Sequence, residues 1–191
     1  DNRPWAAGGA IFCNVGVRIR NSEFYGNLTN DGTGSAIYFY HASSTDGDPE
    51  FLNGNVVSCT ITSSDDPSQI GSLIAIRGSG VDFDRDVEDC LTPGSKFITI
   101  VDSTLHSLSN EKALYVNTAA AQIMSSLVTM ENTGPAILVE HGLFTGSGVA
   151  GLGPVPAVFD SGVHAVCTQF CLVNGAGCIV ELNSCGPTNG A

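Results

Sequence analysis

Apolar residues recur along this chain in short alternating runs, and a helical period of three to four is almost absent. A pair of residues, usually a small one and then a large aliphatic one, opens run after run. It is found at Ala10-Ile11-Phe12-Cys13, Ala36-Ile37-Tyr38-Phe39, Leu73-Ile74-Ala75-Ile76, Ala113-Leu114-Tyr115-Val116, Ala136-Ile137-Leu138-Val139, Ala157-Val158-Phe159-Asp160 and Cys178-Ile179-Val180-Glu181. Gly, Asn, Asp, Ser and Pro separate these runs, which therefore read as strands. A second strand follows within each unit, with alternating apolar residues, then a small hydroxyl or thiol, then one more apolar residue: Val17-Arg18-Ile19-Arg20-Asn21-Ser22-Glu23-Phe24, Ser58-Cys59-Thr60-Ile61, Ile98-Thr99-Ile100-Val101-Asp102-Ser103-Thr104-Leu105, Ile123-Met124-Ser125-Ser126-Leu127 and Cys167-Thr168-Gln169-Phe170. An Asn closes several units (Asn27, Asn110, Asn132, Asn174), and at a repeated turn Asn tolerates left-handed backbone geometry.

The opening aliphatics Ile11, Ile37, Ile74, Leu114, Ile137, Val158 and Ile179 lie 26, 37, 40, 23, 21 and 21 residues apart. The short intervals fit one turn of a parallel β-helix. The long ones carry insertions rich in Asp, Gly, Ser and Pro, from His41 to Gly54 and from Gly78 to Ser95. A solenoid tolerates these because the stacked strands are left untouched. The predicted fold is all-β, a parallel β-helix of about seven rungs forming one domain over residues 1–191. The seven aliphatics would form one internal ladder, at the ~4.8 Å spacing of paired strands. A β-sandwich also uses many short strands, but it does not require one local pattern seven times.

Alternation then fixes the outward residues. On the first strand they are Phe12, Tyr38, Ala75, Tyr115, Leu138, Phe159 and Val180, an almost wholly apolar column. A stripe of roughly 30 Å at strand spacing is too large to leave in water. It predicts a face that docks on another protein surface, in the same long chain or in another subunit, the alternative being a long loop of the second or third unit folded over it. The second strand presents Arg18, Arg20, Thr99 and Gln122, ordinary solvent-facing chemistry. No Thr column appears, which argues against an ice-binding array.

Composition narrows the function classes. With 7 Lys and Arg against 19 Asp and Glu, the net charge is -12, which argues against a nucleic-acid partner. No apolar run approaches the roughly 18 residues of a membrane-spanning helix. Seven cysteines point to an oxidising compartment, and the odd number leaves at least one thiol free or paired outside the chain. The sequence starts at Asp1-Asn2-Arg3-Pro4, and the expectation is a processed product or a piece of a longer chain.

Gly8-Gly9-Ala10-Ile11 and Phe24-Tyr25-Gly26-Asn27 resemble the GGAI and FxxN repeats of polymorphic outer-membrane proteins, surface-exposed adhesins. Gly34-Ser35-Ala36-Ile37 is a degenerate copy. More broadly the chain resembles the pectin-lyase-like superfamily of right-handed parallel β-helices, which includes lyases, hydrolases, tailspikes and adhesins. The resemblance implies a right-handed helix and adhesion or carbohydrate contact.

An enzyme on this scaffold needs clustered acids, bases or calcium ligands on one face. Ser64-Asp65-Asp66-Pro67 and Glu140-His141-Gly142 lie in different units and form no complete set. Asp160 and Glu181 share a repeat position in adjacent units, about 5 Å apart at rung spacing, and are the candidate catalytic pair for a glycosidase reading. Asp82, Asp84 and Asp86 form an acidic alternation that is a candidate calcium loop, although it lacks the turn glycine of an EF-hand. His41 and His141 share a repeat phase but stand three rungs apart, too far to hold one ion. Cys167, Cys171, Cys178 and Cys185 crowd the last units and are the disulfide candidates. Cys13 and Cys59 occupy ladder positions, where a thiol serves as a small buried hydrophobe. Asn27-Leu28-Thr29 is a glycosylation sequon. The expected function is that of a non-catalytic, extracellular or cell-surface structural and adhesive module without a cofactor. It would bind a protein partner or assemble with itself. A carbohydrate-active enzyme or glycan-binding module is the alternative.

Overall fold

The computed structural model describes residues 8–14, 16–29, 33–41, 54–78, 98–131, 135–152, 155–159, 163–173 and 183–184. These residues form strands and turns. The first pass of the chain supplies β1 (Ile11–Cys13), β2 (Val17–Arg20) and β3 (Glu23–Asn27). The second supplies β4 (Ile37–His41), β5 (Gly54–Val57) and β6 (Thr60–Ser63), and the third β7 (Ile70–Gly78), β8 (Ile98–Val101) and β9 (Thr104–Ser107). The fourth runs through β10 (Asn110–Met124) into β11 (Leu127–Met130), and the fifth is the single long β12 (Pro135–Leu152). β13 (Val155–Phe159) and β14 (Val163–Val173) follow, and then the short β15 (Asn183–Ser184).

Each pass lays its strands parallel to their counterparts in the previous pass. One stack is β1, β4, β7, β10, β12 and β13. A second runs β2, β5 and β8, then the latter half of β10, then β12 and β14. A third runs β3, β6, β9 and β11 and reaches the end of β12. The protein is therefore all-β with parallel strands. The pair β14–β15 is the antiparallel one among the described residues: Ala165 stands opposite Ser184 and Val166 opposite Asn183. Ile179, the expected start of a seventh rung, lies outside the described residues. No helix among the described residues is long and apolar enough to cross a membrane.

The predicted ladder holds for five passes: Ile11 pairs with Ile37, Ile37 with Ile74, Ile74 with Leu114 and Leu114 with Ile137. It slips by one in the sixth, where Ile137 pairs with Ala157 and Leu138 with Val158. Val158 therefore stands in the outward column. Phe159, expected to point outward, falls in register with the buried Val139. Since the side-chain period of a strand is two, one residue of slip exchanges the faces.

Each stack fills the core with its inward residues. Ile37, Phe39, Ile74, Ile76, Leu114, Val116, Ile137 and Val139 come from the first, Val56, Ile98, Ile100, Ala121, Ile123 and Phe144 from the second, and Ile61, Leu105 and Val128 from the third. Each fully buried large side chain contributes about 1.5–3 kcal/mol. Bulk is traded between passes. Phe39 and Ile98 leave no room for a side chain at Gly54, where a Cβ would lie 2.8 Å from Ile98 Cδ1 and 2.9 Å from Phe39 Cε1. Ala121 likewise stands opposite Phe144.

The corner between the second and third stacks repeats with the same backbone. Asn21, Ser58, Asp102, Ser125 and Gly148 all have left-handed φ, between 47° and 61°. Short polar side chains and glycine bear that conformation most cheaply. The left-handed non-glycine positions among the described residues are thus at this corner, and Asn27 and Asn110, expected to take that geometry, are not among them. Amides along the corner donate to the next pass: Asn21 N–H to Val57 O, Ser58 N–H to Val101 O, Asp102 N–H to Met124 O and Ser125 N–H to Ser147 O. The serines that follow Asp102 and Ser125 add a side-chain spine. The Ser103 hydroxyl donates to Val101 O at 2.8 Å and accepts from Cys59 N–H at 3.2 Å. Ser126 Oγ repeats this, donating to Met124 O at 2.7 Å and accepting from Ser103 N–H at 3.2 Å. The recurrent hydroxyl or thiol of the sequence is this spine.

Candidate binding surface on the outer sheet face

With Ile37 and Phe39 inside, β4 turns Tyr38 and Tyr40 outward, and the same alternation acts on β7, β10 and β12. Register builds two parallel rows from these residues. The first is Phe12, Tyr38, Ala75, Tyr115 and Leu138. The second, two residues further along each strand, is Tyr40, Arg77, Asn117 and Glu140.

The rows interlock. The Phe12 and Tyr38 rings meet edge to face with centroids 5.4 Å apart, and Tyr38 lies 6.1 Å from Tyr40. Arg77 sets its guanidinium carbon 5.7 Å from the Tyr115 ring centroid. Its N–H donors have no hydrogen-bond acceptor among the described residues, and stacking on a ring leaves that planar fork free to bind. Beyond the ring, the Tyr115 hydroxyl donates to Glu140 Oε2 at 2.5 Å. Asn117 Nδ2 donates to the Tyr115 hydroxyl and to Glu140 Oε2, each at 2.8 Å. Burial and the hydrogen bond to Glu140 push the Tyr115 phenol above its ordinary value, so it stays a donor at physiological pH. The face thus offers tyrosine rings, a cationic fork and a carboxylate held by two donors.

Exposure along the first row is uneven. Phe12 is 51% exposed, Tyr115 and Leu138 are half-buried, Tyr38 is 7% exposed and Ala75 is closed off completely. The expected continuous apolar stripe is therefore not uniformly open to water. Ala75 is a single methyl between two large neighbours in register, Tyr38 and Tyr115. Tyr38 is hemmed by two rings.

The second row was not anticipated from sequence, although Glu140 stood out in Glu140-His141-Gly142. Tyr40, Arg77, Asn117 and Glu140 each follow a ladder residue by three positions, so extending each strand by two residues finds them.

The third stack presents a different face, with Tyr25, Thr62, His106 and Thr129 in one row. Thr60 and Thr104 are neighbours in the adjacent row. A short grouping of threonines does exist there, interrupted by His106 and Leu127. His106 Nδ1 is hydrogen-bonded to Thr129 Oγ1, and its Nε2 lies 3.7 Å from Glu131 Oε1.

The other anticipated residues fall as follows. Cys13 and Cys59 are free, buried thiols, and Cys59 Sγ donates to Val57 O. Cys167 and Cys171 lie on β14 opposite Gly146 and Ala150. Cys178, Cys185, Val180, Asp82, Asp84, Asp86, Asp160 and Glu181 lie outside the described residues, so the proposed carboxylate pair and acidic loop are not placed. Asn27 is half-buried at the end of β3, in register with Ser63. Among the described residues, no three of His, Cys, Asp and Glu come together as a metal site. Comparison with protein-family models, with curated proteins and with solved structures found no match, so the reading of this surface rests on its own chemistry.

Proposed function

We propose that the chain is a non-catalytic, extracellular structural and adhesive module, a right-handed parallel β-helix of about seven rungs. It docks on a protein partner through the outer face of the stack β1, β4, β7, β10 and β12. The parallel pairing of successive passes supports the helix reading, and the handedness follows the general preference of parallel crossovers. One observation carries the function: the aligned Tyr40, Arg77, Asn117 and Glu140, beside the Phe12–Tyr38 pair and Tyr115, with the Arg77 donors unused among the described residues. Tyrosine and arginine are the residues that dominate protein interfaces energetically, because they bury large area and still offer directional bonds. With a net charge of -12, two copies repel each other, which favours a different protein over self-association.

A glycan is the second reading. The hydrogen-bonded Tyr115, Asn117 and Glu140 beside an aromatic ring suit sugar hydroxyls as well as a protein surface.

Covalent footprinting of the chain, alone and in its native assembly, separates the readings. Protection of Phe12, Tyr40 and Tyr115 in the assembly, lost in Arg77→Ala, is expected. Protection of the isolated chain by members of a glycan panel would establish the second reading in its place. Equal labelling in every condition would remove this face from the function.

A further inference from the structure

The second stack begins on an open edge. β2 pairs with β5 on one side, and no strand among the described residues adds to its other side. The first pass is also incompletely covered. Ile11, Val17 and Phe24 are half-buried, whereas Ile37, Ile98 and Ile61, which follow them in register one or two passes on, are completely closed off.

In a ladder, the backbone groups of successive residues point to opposite neighbours. The Asn21 amide donates to Val57 O of β5. Counting back in twos, Ile19 and Val17 face β5, and the N–H and C=O groups of Arg18 and Arg20 face the open edge. The side chains at those two positions are exposed and lie on the outward face of the strand. Their neighbours in register are Asn55 and Val57 on β5, then Thr99 and Val101 on β8, so no acid stands beside them along the sheet. The other two strands of the first pass offer a poorer edge: β1 has three residues, and β3 is broken by a bulge between Tyr25 and Asn27 with Gly26 left-handed.

We propose that β2 is a docking edge for an extended strand of a partner protein in which apolar and acidic residues alternate. The strand continues the second stack by one pass. Its backbone bonds to the open groups of Arg18 and Arg20, its carboxylates lie against the two guanidinium groups, and its apolar residues cover Val17 and Ile19. Charge selects the partner. Charged side chains on an edge strand keep a second copy from pairing there, and two β2 edges would set arginine against arginine. An acidic strand meets attraction at the same positions. This edge is separate from the outer face of the first stack and does not depend on what that face binds.

Hydrogen exchange of the full chain at neutral pH and low salt, read by NMR, tests the edge. The probe is a blocked eight-residue peptide that alternates valine and glutamate. The Arg18 and Arg20 amides are expected to exchange freely in the chain alone and to slow about tenfold or more with the peptide in excess. The Asn21 amide, already bonded to β5, should change little. A peptide of the same composition in two blocks, four valines and then four glutamates, should protect neither. Replacing both exposed arginines, Arg18→Glu with Arg20→Glu, should weaken binding of the alternating peptide about tenfold, the worth of two exposed ion pairs. The same variant should accept a peptide alternating valine and lysine. If that variant does not fold, the comparison of the two glutamate peptides on the wild type decides. No protection by the alternating peptide, or equal protection by the block peptide, overturns the proposal. Protection of both amides before any peptide is added also overturns it, since the chain itself would then occupy the edge.

Discussion

Ser103→Ala is the sharpest test of how the passes are held together. Ser103 is buried at 2% exposure in the corner spine. Its hydroxyl accepts from Cys59 N–H of the pass before and donates to Val101 O of its own pass. Alanine fills nearly the same space, so the change removes the oxygen and leaves the packing. The Cys59 amide is then a buried donor without its partner, and Val101 O loses one donor. An orphaned buried group costs about 1–3 kcal/mol, so a loss of about 2 kcal/mol is expected. For a chain of this length that corresponds to about 4–8 °C in melting temperature.

Urea unfolding followed by circular dichroism measures it. Two companions sharpen the result. Ser22→Ala, where the hydroxyl bonds only to Arg20 O at the half-buried first pass, should cost about 0.5 kcal/mol. Ser126→Ala removes the acceptor of Ser103 N–H. The double variant should then depart from the sum of the singles by about 0.5 kcal/mol or more, because neighbours in one network couple. A Ser103→Ala loss no larger than that of Ser22→Ala would mean that the spine is incidental and that side-chain packing alone aligns the passes.

Gly54→Ala should destabilise by about 1–3 kcal/mol through overpacking against Ile98 and Phe39. Phe39→Leu in the same chain should recover part of that loss, and additive effects in urea unfolding would refute the volume trade. The Cys13 thiol, pushed up to about 11 by burial, should resist iodoacetamide at pH 8 in the folded chain and react on unfolding, as mapped by mass spectrometry. Because the thiolate is disfavoured in the fold, the Cys13 contribution to stability is complete below the free thiol value of about 8.5 and declines as pH climbs towards 11. Rapid native labelling of Cys13 would contradict its placement in the core.

Much of the architecture follows from the order of residues alone. Ile37, Ile74, Leu114 and Ile137 announce their shared column because inward and outward positions must alternate along a strand, whatever it packs against. The hydroxyl or thiol at Ser22, Cys59, Ser103 and Ser126 is legible for a similar reason: a tight corner admits few side chains, and the same few return in each pass. Both are local constraints. What lies between passes obeys a different rule. The register of the sixth pass, the enclosure of Tyr38 and Ala75 and the meeting of Arg77 with Tyr115 all depend on neighbours 20 to 40 residues away in sequence. Insertions of unequal length obscure that distance, and one residue of slip reverses every face. The sequence by itself determined that the chain is built of strands and, for the first five passes, which side of the opening strand is apolar. The tertiary structure decided which of those sides meet, and so which side chains stay at the surface.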